Sequence, residues 1–218
     1  MSFRFAYGVA ARLVYALLLM AAGIPAEAAA RDVHVLAFGD SLTAGYGLPP
    51  GQGFAPQLED SLRRHGVRAF VTNAGVSGNT AGQGRARLAW TLDGLKQKPD
   101  LAIVALGAND MLRGLPPRQT REDLDAILAE FKRRNISVLV VGMLAPPNLG
   151  AQYRRDYDTI FPDLARKYGS PLYPFFLAGV AGNMALNLPD RVHPNFQGIK
   201  RVVSGITPAV LKALETGR

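Results

Sequence analysis

Apolar runs typical of buried strands alternate with helix-period segments along most of this chain. The strand-like runs are 33–38, 68–72, 101–106, 137–141 and a short run near Leu172. The helix-period segments are 54–65, 84–97, 120–134, 151–168 and 195–216. We expect Thr120 to be an N-cap and Pro208 to kink or restart the last helix. Continuous apolar strands between helices predict an α/β fold, with a parallel sheet covered on both faces and sites at the carboxyl ends of its strands.

The amino-terminal segment differs from the rest. Two arginines precede the apolar run 13–24, and small residues around Ala28 and Ala30 offer cleavage sites. The run is shorter than the ~20 residues of a membrane-spanning helix, which favours a cleaved signal peptide over an uncleaved anchor. The sequence therefore predicts a signal peptide over residues 1–30, a single domain over 31–218, and a periplasmic or secreted protein.

Charge and cysteine content limit the partners. The chain contains no cysteine, which excludes disulfides and cysteine–metal sites. Its net charge of +8 becomes +7 without residues 1–30. The basic residues are dispersed in pairs such as Arg63-Arg64 and Arg154-Arg155, which indicates a solvated surface. We expect a monomer with no nucleic-acid partner and, at most, weak contact with an anionic membrane surface.

Ser41 follows the first strand-like run, in the sequence Gly39-Asp40-Ser41-Leu42. Glycine permits a sharp strand-to-helix turn there, and the next helix directs N–H groups and its positive dipole end at the serine oxygen. A hydroxyl needs a base and oxyanion donors before it acts as a nucleophile. The position predicts a catalytic serine, with a helix N-cap as the simpler alternative.

The chain contains three histidines, and one of them must act as the base. His34 lies within a strand, and His65 lies at the end of a helix, where its ring suits the C-terminal dipole. His193 lies in a loop three residues after Asp190, a spacing that lets the carboxylate reach one ring nitrogen while the other faces a serine. We therefore predict that Asp190 and His193 complete the site.

Two more loops carry candidate donors. One contains Gly75-Val76-Ser77-Gly78-Asn79-Thr80, and the next contains Gly107-Ala108-Asn109-Asp110. A glycine N–H in the first and the Asn109 amide in the second suit an oxyanion, although turn residues are the simpler reading. With the Ser41 and Asp190–His193 segments, these blocks resemble the SGNH (GDSL) hydrolase family in order and spacing over nearly all of residues 32–216. The likeness is greatest to exported bacterial arylesterases, lysophospholipases and acyl-thioesterases.

This resemblance implies a fold and a set of roles. The fold would be a three-layer α/β/α arrangement with a mostly parallel, five-stranded, flavodoxin-like sheet. Ser41 would be the nucleophile, His193 the base and Asp190 its orienting partner. The N–H groups of Ser41 and Gly78 and the side chain of Asn109 would form the oxyanion hole.

The chain departs from the family pattern at two positions. Ala108 stands where the family usually has a second glycine, and Arg191 stands where relatives often have glycine. Neither change removes a catalytic atom. We expect Arg191 to alter the rim of the site and its preference for anionic substrates.

Apolar residues beside these blocks suggest the substrate class, although ordinary packing would also explain them. The candidate substrate-binding residues are Leu42, Met111, Leu112, Leu144, Pro146 and Leu149. We expect aryl and short-to-medium acyl esters as substrates, with lysophospholipids and acyl thioesters in addition, and neither a metal nor a cofactor.

Three alternatives compete with this reading. A nucleotide- or flavin-binding domain is disfavoured, because the chain lacks a phosphate-binding P-loop and a G-x-G-x-x-G turn after the first strand. A non-catalytic lipid- or glycan-binding module of the same fold is disfavoured by the complete set of candidate catalytic residues. A carbohydrate O-acetyl esterase of the same fold stays open, because the fold does not determine the substrate.

Overall fold

The structure is a computed structural model that describes residues 31–216. The strands are β1 Val33–Gly39, β2 Ala69–Gly75, β3 Leu101–Ala105, β4 Ser137–Val141 and β5 Leu172–Tyr173. They form one parallel sheet in the order β2-β1-β3-β4-β5. The central strands are almost wholly buried, as their continuous apolar sequences predicted, whereas the edge strand β2 is partly exposed.

Helices cover both faces of this sheet. They are α1 Ser41–Ala44, α2 Phe54–Arg64, α3 Ala81–Asp93, α4 Ala108–Leu112, α5 Pro117–Arg133, α6 Ala151–Asp158, α7 Ile160–Tyr168 and α8 Phe196–Thr216. Short 3₁₀ turns span Pro147–Leu149 and Met184–Leu186. α2 packs against α8, while α3 and α7 both pack against α5, which gives the three-layer α/β/α fold that the sequence predicted.

The ends of three strands lie side by side and position the site. Gly39, at the end of β1, pairs with Gly75 of β2 and Ala105 of β3. The loops after these strands therefore begin at one level of one edge of the sheet. Among residues 31–216, no helix has both the length and the apolar character needed to cross a membrane. The predicted signal peptide and its cleavage site lie outside the described residues.

Several predicted helix boundaries were wrong. The helix expected at 84–97 begins at Ala81, because Thr80 and Gln83 form a capping box. The helix expected to start after Thr120 begins at Pro117, where a proline suits the first turn. Thr120 is therefore not an N-cap; it is buried inside α5, and its hydroxyl donates to Asp110.

Of the two other long predicted helices, one is divided and the last is continuous. The segment expected at 151–168 divides into α6 and α7 at Thr159, whose hydroxyl donates to the carbonyl of Asp156. In contrast, Pro208 does not restart the last helix, since α8 continues through it from Phe196 to Thr216. Apolar positions on both sides of Pro208 are buried, and this packing offsets the backbone hydrogen bond that proline cannot make.

Candidate active site

Ser41, His193 and Asp190 form one hydrogen-bonded line at the carboxyl edge of the sheet. The Nε2 atom of His193 lies 2.8 Å from the Oγ atom of Ser41. Its Nδ1 atom lies 2.7 Å from Oδ2 of Asp190. When Nδ1–H donates to the carboxylate, Nε2 is left to accept the serine proton. The structure thus brings together the three residues that the sequence singled out.

The Asp190 carboxylate is held by the loop that carries the histidine. Its Oδ1 atom accepts the backbone N–H groups of Val192, at 2.9 Å, and His193, at 3.0 Å. These bonds, with that from the imidazole, lower the pKa of Asp190 to about 2. Arg191, the residue between Asp190 and Val192, has φ of 62°, a left-handed conformation that favours glycine. This explains physically why glycine would suit that position.

Tyr46 covers one side of the histidine. The centres of the Tyr46 and His193 rings are 4.5 Å apart, with 37° between their planes. The tyrosine is half exposed and belongs to the loop after β1. It restricts the orientation of the imidazole and forms part of the wall beside Ser41. No sequence motif marks this residue.

The turn that presents Ser41 is tightly packed. Asp40 caps α1 by accepting the N–H of Leu42 at 3.0 Å. A Cβ atom at Gly39 would collide with the side chain of Thr43, and one at Gly75 would collide with the backbone of Ala44. Glycine is therefore required at both strand ends for β1, β2 and α1 to approach this closely.

Asp40 is a buried carboxylate beside the triad. Its burial raises the pKa to about 6, although the hydrogen bond from Leu42 and the nearby His193 act in the opposite direction. Its Oδ2 atom accepts Nδ2 of Asn109 at 3.2 Å. In the sequence Asp40 is marked only as part of the serine segment, but in the structure it connects the turn of Ser41 to the loop after β3.

Candidate oxyanion donors come from three loops. Among the hydrogen bonds of residues 31–216, neither the N–H of Ser41 nor that of Gly78 has an acceptor. Gly78 has φ of 82°, which glycine adopts without strain. Asn109 is more constrained than the sequence suggested, because Nδ2 donates to both the carbonyl of Asn79, at 3.0 Å, and Asp40. It must share or exchange one of these bonds to donate to a substrate.

Two arginines brace the loop that contains Gly78. The guanidinium of Arg87 donates to Oδ1 of Asn79 at 2.7 Å and to the carbonyl of Gly39 at 2.9 Å. Burial lowers the pKa of Arg87, which stacks on the ring of Phe38. Arg113 donates to the carbonyl of Gly78 at 2.7 Å. Arg87 lies on α3 and Arg113 directly follows α4, and no sequence motif indicates this role for either.

The loop after β3 is held in place by two buried polar side chains, those of Tyr157 and Asp110. Gly107 has φ of 111°, and its carbonyl accepts the hydroxyl of Tyr157 at 2.8 Å. Asp110 is buried, and its Oδ2 atom accepts the N–H of Ala81 at 2.8 Å. Burial raises the pKa of Asp110. These bonds hold the start of α4, and therefore Asn109, against the start of α3.

The candidate substrate-binding residues divide into two groups. Leu42 and Met111 belong to the hydrophobic core and expose little surface, whereas Leu112, Leu144 and Pro146 are exposed. Leu149 is half-buried and packs against the core. A cavity of about 10 Å³ behind Leu42 is at the lower limit for one water molecule and too small for an acyl chain. Substrate therefore has access mainly to the exposed group.

Comparisons with known proteins agree with this geometry. Residues 37–201 match the GDSL-like lipase/acylhydrolase family. The chain is 34% identical over 180 residues to an arylesterase from Vibrio mimicus, covering 83% of this chain and 89% of the relative. It is 37% identical over 169 residues to thioesterase 1/protease 1/lysophospholipase L1 of Escherichia coli K12, covering 78% of each.

Solved structures point to the same class. The chain superposes on AlinE4, an SGNH-hydrolase family esterase, with a TM-score of 0.72 and 50% identity, covering 84% of this chain and 97% of that one. The fold and these matches define an SGNH-type hydrolase. The chain belongs to the GDSL-like lipase/acylhydrolase family, and it is an enzyme, a carboxylic ester hydrolase.

Proposed function

We propose that this protein is an exported serine esterase that cleaves carboxylic esters through an acyl-enzyme on Ser41. The observation that carries the proposal is the 2.8 Å contact between His193 Nε2 and Ser41 Oγ, with Asp190 on the other ring nitrogen. Export rests on the signal peptide predicted over residues 1–30. The expected location is therefore the periplasm or the outside of the cell.

In the first half-reaction, His193 removes the proton from Ser41 as the serine oxygen attacks the carbonyl carbon of the ester. Asp190 keeps the imidazole in the tautomer that accepts this proton and stabilises the imidazolium that forms. The imidazolium then gives its proton to the leaving alcohol, phenol or thiol as the carbon–oxygen or carbon–sulfur bond breaks. The products of this step are the free leaving group and an ester on Ser41.

The oxygen of the tetrahedral intermediate needs hydrogen-bond donors, because a negative charge develops on it during the reaction. The N–H groups of Ser41 and Gly78 support this role because neither has an acceptor among the hydrogen bonds of residues 31–216. The Asn109 amide adds a third donor when its 3.2 Å bond to Asp40 lengthens. Water then attacks the acyl-enzyme with His193 as base, which releases the acid and restores Ser41.

The substrate class rests on the relatives and on the surface around the site. The relatives are named for aryl ester, thioester and lysophospholipid cleavage. Exposed Leu112 and Leu144 are suited to an acyl chain on an open surface. We therefore propose aryl and short-to-medium acyl esters as substrates, and lysophospholipids and acyl thioesters in addition.

A fluorophosphonate probe tests the nucleophile directly. We expect one probe per chain, located on Ser41 by peptide mass spectrometry, with complete loss of esterase activity. Ser41→Ala should neither react nor turn over. Labelling of another residue, with activity retained in Ser41→Ala, would overturn the assignment.

The histidines supply a matched set of controls for the base. His193→Ala should lower kcat by several orders of magnitude, because the serine loses its proton acceptor. His34→Ala and His65→Ala should retain activity, since His34 stacks on Phe70 and His65 bonds the carbonyl of Ser61. Equal effects of all three substitutions would contradict the role of His193.

A further inference from the structure

Exposed apolar side chains are concentrated at the edge of the sheet that carries Ser41. Within residues 31–216, six of the eight large exposed hydrophobic side chains follow the carboxyl ends of strands. We call these six the apolar rim: Tyr46, Val76, Leu112, Leu144, Met184 and Val192. Between 42% and 72% of each is exposed, and the loop after every strand contributes at least one.

The same loops are unusual in their charges. They comprise residues 40–53, 76–80, 106–116, 142–150 and 174–195, and they contain no lysine and no glutamate. Asp40 and Asp110 are buried, and Asp190 is bonded to His193. Arg113 and Arg191 are exposed. The accessible charge of the loops is thus mainly arginine, although the chain has 17 acidic residues in all.

Exposed apolar side chains with arginine, and without lysine or glutamate, are typical of a surface that binds a partner. A protein covering the apolar rim would close off Ser41, because Tyr46 and Val192 lie directly beside His193. A lipid surface would instead bring an ester to the site while covering the same residues. The net charge, which is +7 without residues 1–30, adds attraction to anionic headgroups.

We propose that the apolar rim docks this enzyme on an anionic lipid surface. Met184, Leu112 and Leu144 enter the boundary between headgroups and acyl chains, and the arginines bind lipid phosphates. A lysophospholipid in that surface then has its ester at the level of Ser41. The delivery of substrate rests on the proposed function, but the docking itself does not.

Vesicle binding tests the docking without catalysis. All proteins carry Ser41→Ala and are checked by intact mass for the same amino terminus. They are mixed with vesicles of phosphatidylcholine alone, or with 30 mol% phosphatidylglycerol, and the bound fraction is measured by flotation. We expect binding mainly to the anionic vesicles, and we expect it to weaken at high salt.

Two rim substitutions have matched controls at the other edge of the sheet. Arg191→Gln should weaken binding about fivefold, because a basic residue near an anionic lipid surface is worth about 1 kcal/mol. Met184→Gln should also weaken binding several-fold, because it removes an apolar side chain from the boundary between headgroups and acyl chains. Trp90→Ala and Lys98→Gln remove an exposed aromatic ring and an exposed charge near the amino-terminal ends of the strands. These controls should bind like the parent. Equal losses in controls and rim variants, or no loss in either rim variant, would overturn the proposal.

A kinetic comparison separates docking from the reaction. With Ser41 restored, Met184→Gln should hydrolyse a soluble aryl acetate at the parental rate but a lysophospholipid embedded in anionic vesicles several-fold more slowly. Equal rates of the variant and the parent on the embedded lipid would contradict docking through the rim. If neither protein cleaves lysophospholipid but the vesicle-binding differences persist, the proposed substrate fails while the docking surface stands.

Discussion

At the scale of single residues, the contacts of Asn109 bear on two roles that the sequence presented as alternatives. Its position after the third strand indicated either an oxyanion donor or a turn residue. In the structure its amide binds the buried carboxylate of Asp40 and the carbonyl of Asn79. The same group that is suited to the oxyanion therefore also holds two loops together, and its loss should affect both turnover and stability.

We expect Asn109→Ala to lower kcat by about 10²–10³ with little change in KM, because an oxyanion donor acts mainly in the transition state. The variant should also melt at a lower temperature, since Asp40 loses a donor. Thr120→Val is a matched control, because the hydroxyl of Thr120 donates to the buried Asp110 in the same way. The control should lose stability with near-normal kcat. A similar kcat in both variants would remove Asn109 from the oxyanion site.

At the scale of elements, the sequence predicted the strands better than the helix boundaries. Continuous apolar runs gave the bounds of β4 correctly and those of β3 to within one residue. β2 continues to Gly75, beyond the predicted end at residue 72. It is an edge strand, and its exposed positions hold polar residues such as Asn73 that an apolar run does not include. Helix starts at Ala81 and Pro117 depend on local caps, which hydrophobic periodicity does not record.

The site was predictable to the extent that it depends on chain order. Ser41, His193 and Asp190 are recognisable because each lies in a loop after a strand, and the fold brings these loops to one edge. Arg87 and Tyr46 were not predicted, because their roles arise from contacts with His193 and Asn79 that only the folded chain creates. Sequence patterns indicate which loops meet, but not which neighbouring side chains brace them.

The loop after β4 gives a test of acyl preference. Leu149 packs against the core, so its replacement would disturb the fold, whereas Leu144 is exposed and can be changed without a large loss of packing. We expect Leu144→Ser to reduce kcat/KM several-fold for octanoyl aryl esters while acetyl esters change little. Rates over aryl esters from two to ten carbons measure this. Equal loss at every chain length would mean that the loop supports catalysis or folding.

At the scale of the whole molecule, the edge of the sheet that carries Ser41 contains buried carboxylates that lower stability while they organise the candidate site. Asp40 and Asp110 are carboxylates buried close to each other, and this burial raises the pKa of both side chains. Ionised Asp40 accepts bonds that hold α1 and Asn109, but its burial is unfavourable above its pKa of about 6. The fold retains this unfavourable charge where it organises the turn of Ser41 and the candidate oxyanion donor Asn109.

This opposition predicts a pH-dependent difference in stability between the parent and Asp40→Asn. The pKa of Asp40 is about 6 in the folded chain, against an ordinary 3.8, so between these values the folded state binds the proton and the unfolded state does not. The stabilising contribution of protonated Asp40 is present below about pH 4 and is lost as the pH rises through 6, by an amount on the order of 3 kcal/mol. Asparagine does not ionise and lacks this loss. The melting temperature of Asp40→Asn relative to the parent should therefore be higher at pH 8 than at pH 4, whatever constant offset the altered hydrogen bonds add.

Asp60→Asn, at an exposed position, is the matched control and should follow the parent at all pH values. If the difference between Asp40→Asn and the parent does not change with pH, then Asp40 is not a buried carboxylate that ionises near pH 6.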